Sequence, residues 1–362
     1  MGQRLLKRSL GGMRLALSSV RGSPVHHSGG ARRVLMIYDF ASQPLSVGDL
    51  LIFQEASLIV RETQGLDVID FALVYDPDNP VVSDQAFSHV TPDNFLFHLS
   101  SIFPAVQVNA HLGSLFVFDS HSFLESFIAA NASRYHVWPP PILYAGREYL
   151  FYHCFNSVFY DFFNERGFLP ELKPRPVARS WAREFIAEHA GSRRAGTVQL
   201  RNNPKTPDRN SNYDCWLDFF RYCARTHPVT FIVICSPSEI DPRLRSLPNV
   251  VIAKDHFTNL EQDLALIEAA DFHMGPSSGP ATIAQFNRKP YCMFSWDLNS
   301  RLLKGLARDG QRHRFVFSTP LQSWMSEKET TDTLIAEFER IWPAVDGGSR
   351  IDGSEAGHQP AH

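Results

Sequence analysis

Residues 34–38 read VLMIY without a polar position, the pattern of a strand covered on both faces. Apolar residues then recur at helical spacing over 50–60, Gly65 supplies a stop, and 68–75 is the next strand. A strand, a helix and a strand at this spacing predict a right-handed parallel unit. The alternation continues with a helix over 94–103, a strand over 115–118 and a helix over 123–130. Trp138-Pro139-Pro140-Pro141 stiffens the connection to an aromatic-rich helix over 149–163. After the proline-rich 169–176 the pattern begins again, with helices over 177–189, 213–225 and 260–270. Strands are predicted at 197–200, 229–235, 250–253, 272–274 and 291–294, and a last amphipathic helix over 328–342. The expected fold class is α/β, two doubly wound Rossmann-like domains facing a central cleft, with no residue repeat relating the halves.

The expected boundaries are a basic N-terminal segment (1–32), an N-terminal domain (33–175), a C-terminal domain (176–327), a crossover helix (328–342) and a flexible tail (343–362). At 362 residues the chain exceeds one ordinary core, which agrees with two domains. A net charge of -3 excludes a general attraction to nucleic acid. The five Cys lack paired spacing and mostly sit in apolar runs, so neither a disulfide framework nor a zinc site is expected. No apolar run approaches the roughly 20 residues that span a bilayer. The first 33 residues hold seven basic and no acidic side chains, among them Arg4, Lys7, Arg8 and Arg14, with leucines interspersed. That composition fits a basic helix lying on an anionic membrane, a transit peptide, or a disordered basic tail. The expected location is cytoplasmic, at most peripheral at the inner face of a membrane.

Three loops at strand ends carry candidate chemistry. The strand at 272–274 breaks into Gly275-Pro276-Ser277-Ser278-Gly279-Pro280, where a helix should begin with Ser277 or Ser278 as N-cap and Pro280 in the first turn. Such a turn aims backbone N–H groups, two hydroxyls and a helix dipole at one point, which favours a phosphate, and Gly279 lets a ligand approach the backbone. Without a ligand the same residues make a well-capped helix start. The second loop, 201–210, places Arg201 directly past an apolar run, where a guanidinium can clamp a diphosphate. Lys205 joins the donor-side candidates; it and Arg209 also fit solvated loop charges. In the first loop Asp49 opens a helix, where the dipole favours a carboxylate and a base facing a cleft can take a hydroxyl proton.

Gly275-x-Ser277-Ser278-Gly279-Pro280-x-x-x-Ala284-x-x-x-x-Lys289-Pro290 resembles the donor-site segment of heptosyltransferase-like glycosyltransferases. Gly48-Asp49 is similar to the Gly-Asp pair of that family, whose Asp is taken as the acceptor base, and Leu200-Arg201 to its basic residue at a strand end. The resemblance covers most of 33–342 in order and spacing and implies the GT-B architecture. The family often has Asp at the position of Ser277 and His at that of Thr282, so contacts to sugar or base differ here. A looser similarity to fucosyltransferase-like enzymes also accommodates Arg201.

The resemblance implies sugar transfer from a nucleotide diphosphate sugar to a glycan or glycolipid hydroxyl, with inversion, no metal and no other cofactor, in surface polysaccharide or glycoconjugate synthesis. Asp49 and Arg201 would be catalytic, and Gly275, Ser277, Ser278, Gly279, Pro280, Thr282, Lys205 and His256 would bind the donor. Preorganised positive groups on the leaving diphosphate supply the main catalytic effect. A nucleotide-sugar epimerase of the same fold and a non-catalytic nucleotide-sugar-binding scaffold are the alternatives. Asp76-Pro77-Asp78 has the spacing of a metal signature, but its prolines favour a turn. His256 would reach the base, and Trp296 and Asp297 would line the pocket.

Overall fold

The computed structural model describes residues 31–78, 80, 90–140, 153–204, 207–294, 307–309 and 312–347. The first unit runs β1 (Arg33–Asp39), α1 (Val47–Thr63), β2 (Val68–Val74), α2 (Phe95–Val106), β3 (Leu112–Phe118), α3 (His121–Ala130) and β4 (Tyr135–Trp138). Its four strands are parallel in the order β3-β2-β1-β4. The apolar run of β1 serves both faces of this sheet. Val34, Met36 and Tyr38 pack with α1 and α2, whereas Leu35 and Ile37 pack with Leu124 of α3.

The aromatic segment expected over 149–163 becomes a π-helical turn, Cys154–Phe159, continued by α4 (Tyr160–Arg166); residues 141–152 lie outside the described residues. The second unit follows as α5 (Pro176–Ala190), β5 (Arg194–Gln199), α6 (Tyr213–Thr226), β6 (Val229–Ile234), β7 (Val250–Ile252), α7 (Leu260–Ala269), β8 (Phe272–Pro276) and β9 (Tyr291–Phe294). Three further strands, β10 (Ala307–Asp309), β11 (Arg312–Arg314) and β12 (Gln322–Met325), precede α8 (Thr331–Asp346). The sheet order is β10-β11-β12-β9-β8-β5-β6-β7, parallel from β12 to β7, with β10 and β11 antiparallel at the edge. These last strands are short and carry charged or polar residues, so no apolar run announces them.

The strand orders locate the ligand side. In the first sheet the chain leaves β1 toward β2 and returns on its other side as β4; in the second it leaves β5 toward β6 and returns as β8. In open parallel sheets ligands bind beyond the carboxyl ends at such switch points. Asp39, Arg201 and Ser277 all stand there, at the ends of β1, β5 and β8.

One apolar cluster spans both units, from Met36, Phe53 and Ala105 to Ala178, Ala265, Ala281 and Phe286. One expectation about packing changes. The C-terminal helix α8 does not cross back to the first unit. Its buried stripe (Leu334, Phe338, Ile341, Trp342, Val345) packs with Phe219, Phe231 and Phe272 in a cluster made wholly of second-unit residues. Pro343, expected to open the tail, lies inside α8.

Helix α1 is buried along most of its length, and of its buried polar side chains Gln54 and Ser57 are hydrogen-bonded while Glu55 is not. The Gln54 amide donates to the Val106 carbonyl at 2.7 Å, and Asn109 donates to Gln54 Oε1 and Ser57 Oγ, both at 3.0 Å. Glu55 is 0% exposed and neither carboxylate oxygen has a partner. Burial, with a smaller contribution from Glu171, pushes its carboxyl well above the usual range. The folded-state pKa therefore exceeds the unfolded one, so no stability is lost below the unfolded value and stability falls as pH rises through the folded one. Glu55→Gln should melt several degrees above the parent chain near pH 8, with the gap closing toward about pH 4, as thermal melts across that range would record.

Candidate functional site

The loop after β5 is tied into a closed form. Arg201 N–H donates to Ser211 Oγ at 3.0 Å and Ser211 N–H returns to the Arg201 carbonyl at 2.9 Å. Asn203 and Asn210 exchange a second pair, at 2.7 and 3.1 Å. The closed loop carries Arg209 back over the end of β8, where its guanidinium donates to the Ser277 carbonyl at 3.0 Å. Arg209 is exposed, as expected of a loop charge, and its guanidinium nonetheless lies at the end of β8. Lys205, Trp296 and Asp297 lie outside the described residues.

Two guanidiniums thus share one place. Burial first, and then the charge of Arg209, lowers the pKa of Arg201 from its ordinary value, with Glu239 acting the other way. Burial likewise lowers that of Arg209, and the Asp49 carboxylate opposes the effect. Like charges held near one another favour an anion between them. Asp49 reaches this group from the first turn of α1, whose N-cap, Ser46, is extended and makes no side-chain cap bond.

Ser277 N–H donates to the Phe294 carbonyl at 3.0 Å, fixing the turn to β9, while Ser278 Oγ is buried without a partner. The turn itself departs from expectation. Gly279, not a serine, is the N-cap, and Pro280–Phe286 is a seven-residue 3₁₀ helix. So short a segment has little dipole, and the positive field comes from Arg201 and Arg209 instead.

The glycines serve packing. A Cβ on Gly279 would stand 3.0 Å from Val47 Cβ and 3.2 Å from Gly48 N; one on Gly48 would stand 3.1 Å from Thr282 Oγ1 and 3.3 Å from Gly279 Cα. What approaches Gly279 closely is therefore the start of α1, and buried Thr282 faces that contact. Gly275, at φ 149°, lies so near β5 that a Cβ would meet the Gln199 carbonyl oxygen at 2.4 Å. Gly275→Ala should destabilise the chain by about 1–3 kcal/mol in denaturant melts, since backbone must move to admit the methyl group.

His256 goes elsewhere. It sits on the turn after β7, with its ring 4.4 Å from His189 and 5.2 Å from Phe185 of α5. Three strand spacings separate β7 from β8, about 14 Å. Asp76-Pro77-Asp78 is a turn, with Asp78 N–H donating to Asp76 Oδ1 at 3.0 Å. Among the described residues no group of three or more His, Cys, Asp or Glu is placed to hold a metal ion. A pair not anticipated from sequence lies at the carboxyl edge of the first sheet, where buried Asp39 holds His121 Nε2 at 3.0 Å and accepts from Ala41 N–H at 2.9 Å. Its partners are 82 residues apart and no local spacing joins them.

No protein-family model matches the chain, and no curated protein matches it. Among solved structures, E. coli ADP-heptose lps heptosyltransferase II is similar over 86% of this chain and 98% of its own, at 11% identity and a TM-score of 0.51. The fold is GT-B. E. coli heptosyltransferase WaaC with ADP covers 86% of this chain and 99% of its own, at 12% identity and a TM-score of 0.46. The glycosyl transferase family 9 protein from Veillonella parvula covers 73% and 80%, at 12% identity and a TM-score of 0.47. In GT-B terms, the second unit carries the paired guanidiniums and the first unit carries Asp49. Among the described residues no helix is long and apolar enough to cross a membrane.

Proposed function

We propose that this chain transfers a sugar from a nucleotide diphosphate sugar to an acceptor hydroxyl, with inversion and without a metal ion. The observation that carries the reading is Arg209 bonded to the Ser277 carbonyl at the switch point of the second sheet, close enough to Arg201, past the end of β5, for its charge to act on it. A diphosphate would relieve the repulsion between them and accept paired hydrogen bonds from both. As the glycosidic bond breaks, negative charge grows on the leaving diphosphate, and fixed guanidiniums stabilise that charge without reorganising. The Ser278 hydroxyl, buried and unpartnered, is available to donate to a phosphate oxygen.

Asp49 acts from the facing unit. Its carboxylate would take the proton of the attacking hydroxyl, on the side of the sugar opposite the leaving group. Charge neutralisation by two arginines is the basis for proposing a metal-independent reaction. A glycan or glycolipid acceptor, and peripheral membrane contact through the basic N-terminal segment, complete the reading; residues 1–30 lie outside the described residues.

Titration calorimetry with ADP, GDP and UDP in the presence of a chelator tests the first half, and at least one should bind with Kd below about 1 mM. ADP-heptose, named for heptosyltransferase II, enters the donor panel beside common GDP- and UDP-sugars. Failure of all three diphosphates to bind would overturn the reading. Conversion of a donor to its epimer would favour the epimerase, and binding without turnover or transfer the scaffold.

A further inference from the structure

A second opening lies at the other end of the seam. A cavity of about 910 Å³ is bounded by the last turns of α1, the end of α4 with the linker that follows it, the end of the 3₁₀ segment, and the loop before β12. Leu58, on its wall, is nine residues past Asp49, or about 13 Å along the helix. The packing of α1 along Pro280–Phe286 lies between the two openings. This cavity is therefore separate from the Arg201 site, and nothing in the proposed transfer uses it.

Its lining has a definite chemistry. Phe163, Phe168 and Phe317 present aromatic surface, and Phe168 is 43% exposed. Beside them are Gln285, Asn287 and Thr319, each with one buried polar atom that has no hydrogen-bond partner: Gln285 Oε1, Asn287 Nδ2 and Thr319 Oγ1. Gln285 is only 6% exposed. Unsatisfied buried amide and hydroxyl groups are costly, and a ligand that satisfies them gains accordingly. The charges largely cancel, since Lys173 and Glu171 pair at 3.3 Å and Arg61 stands with Glu62 on the same wall. Arg288 adds a single exposed cation.

Flat apolar faces beside neutral donors and acceptors, with little net charge, suit a pyranose ring. One face of the ring is a patch of C–H groups that lies on an aromatic, and its rim is a row of hydroxyls that both donate and accept. A strongly anionic ligand would need more positive charge than this wall supplies. The volume falls in the range of roughly 300–1,000 Å³ that encloses a ligand the size of a short oligosaccharide. We propose that the cavity is a second, non-catalytic carbohydrate site that holds a short, neutral or weakly acidic oligosaccharide across the linker between the units.

The test uses the full chain on a glycan microarray, followed by calorimetry with the best-bound glycan and with chitotriose, maltotriose and a uronate-containing tetrasaccharide. Binding should persist when a saturating nucleoside diphosphate is present. Phe168→Ala and Arg288→Ala, both at exposed positions, should each weaken it at least about tenfold, because the stacking face or the charged donor is lost. Phe257→Ala, at an exposed aromatic outside the cavity, should leave it unchanged. Absence of glycan binding overturns the proposal. So does binding that survives both cavity variants, or that the nucleotide displaces. None of these outcomes depends on whether sugar transfer is observed.

Discussion

Asp49→Asn should lower the rate of sugar transfer by roughly 100- to 10,000-fold, the range associated with loss of a general base. Its affinity for a nucleoside diphosphate should stay the same or rise. The sign of the second effect comes from the structure, because the Asp49 carboxylate acts on Arg209 in the anion site and its removal leaves more positive charge for the diphosphate. Steady-state rates with saturating donor, read beside calorimetric titration of the diphosphate, separate the two effects. Weaker diphosphate binding in the Asn variant would mean that the carboxylate organises the arginines and does not face the acceptor. A normal rate would remove Asp49 from the chemistry.

Arg201→Ala should weaken diphosphate binding by roughly 30- to 150-fold, corresponding to about 2–3 kcal/mol for a lost charge-assisted pair of hydrogen bonds. Arg201→Lys should recover part of this, since the charge returns without the planar fork. The ligand-free Ala variant should melt close to the parent, since burial and Arg209 act against the Arg201 charge while Glu239 favours it. A variant that lost both binding and stability would show that Arg201 holds the loop together, and the binding role would fall.

Much of the frame was legible because it follows local pattern. VLMIY must be covered on both faces, and a strand, helix and strand at that spacing leave few topologies. The places of Asp49 in a first helical turn and of Arg201 just past a strand are as the pattern indicated. What escaped notice depends on partners distant in sequence. Gly279 suggested ligand approach, but its close neighbour is the start of α1, as that of Gly275 is the Gln199 backbone. Arg209 looked like any loop charge until Asn203 and Asn210 closed the loop on itself. Glu55 sits in a helix whose neighbouring residues give no sign that its carboxyl is sealed in. The reciprocal asparagines were the one available clue to the loop, seven residues apart across two prolines.

The apolar cluster shared by the two units bears on how this chain can be handled. Cutting at the linker is a common way to obtain a lone nucleotide-binding lobe, but here it would bare Val47 at the start of α1 on one fragment and the Gly279 turn with Thr282 on the other. Each piece would present a greasy flank to water, and expression of either alone should yield aggregate.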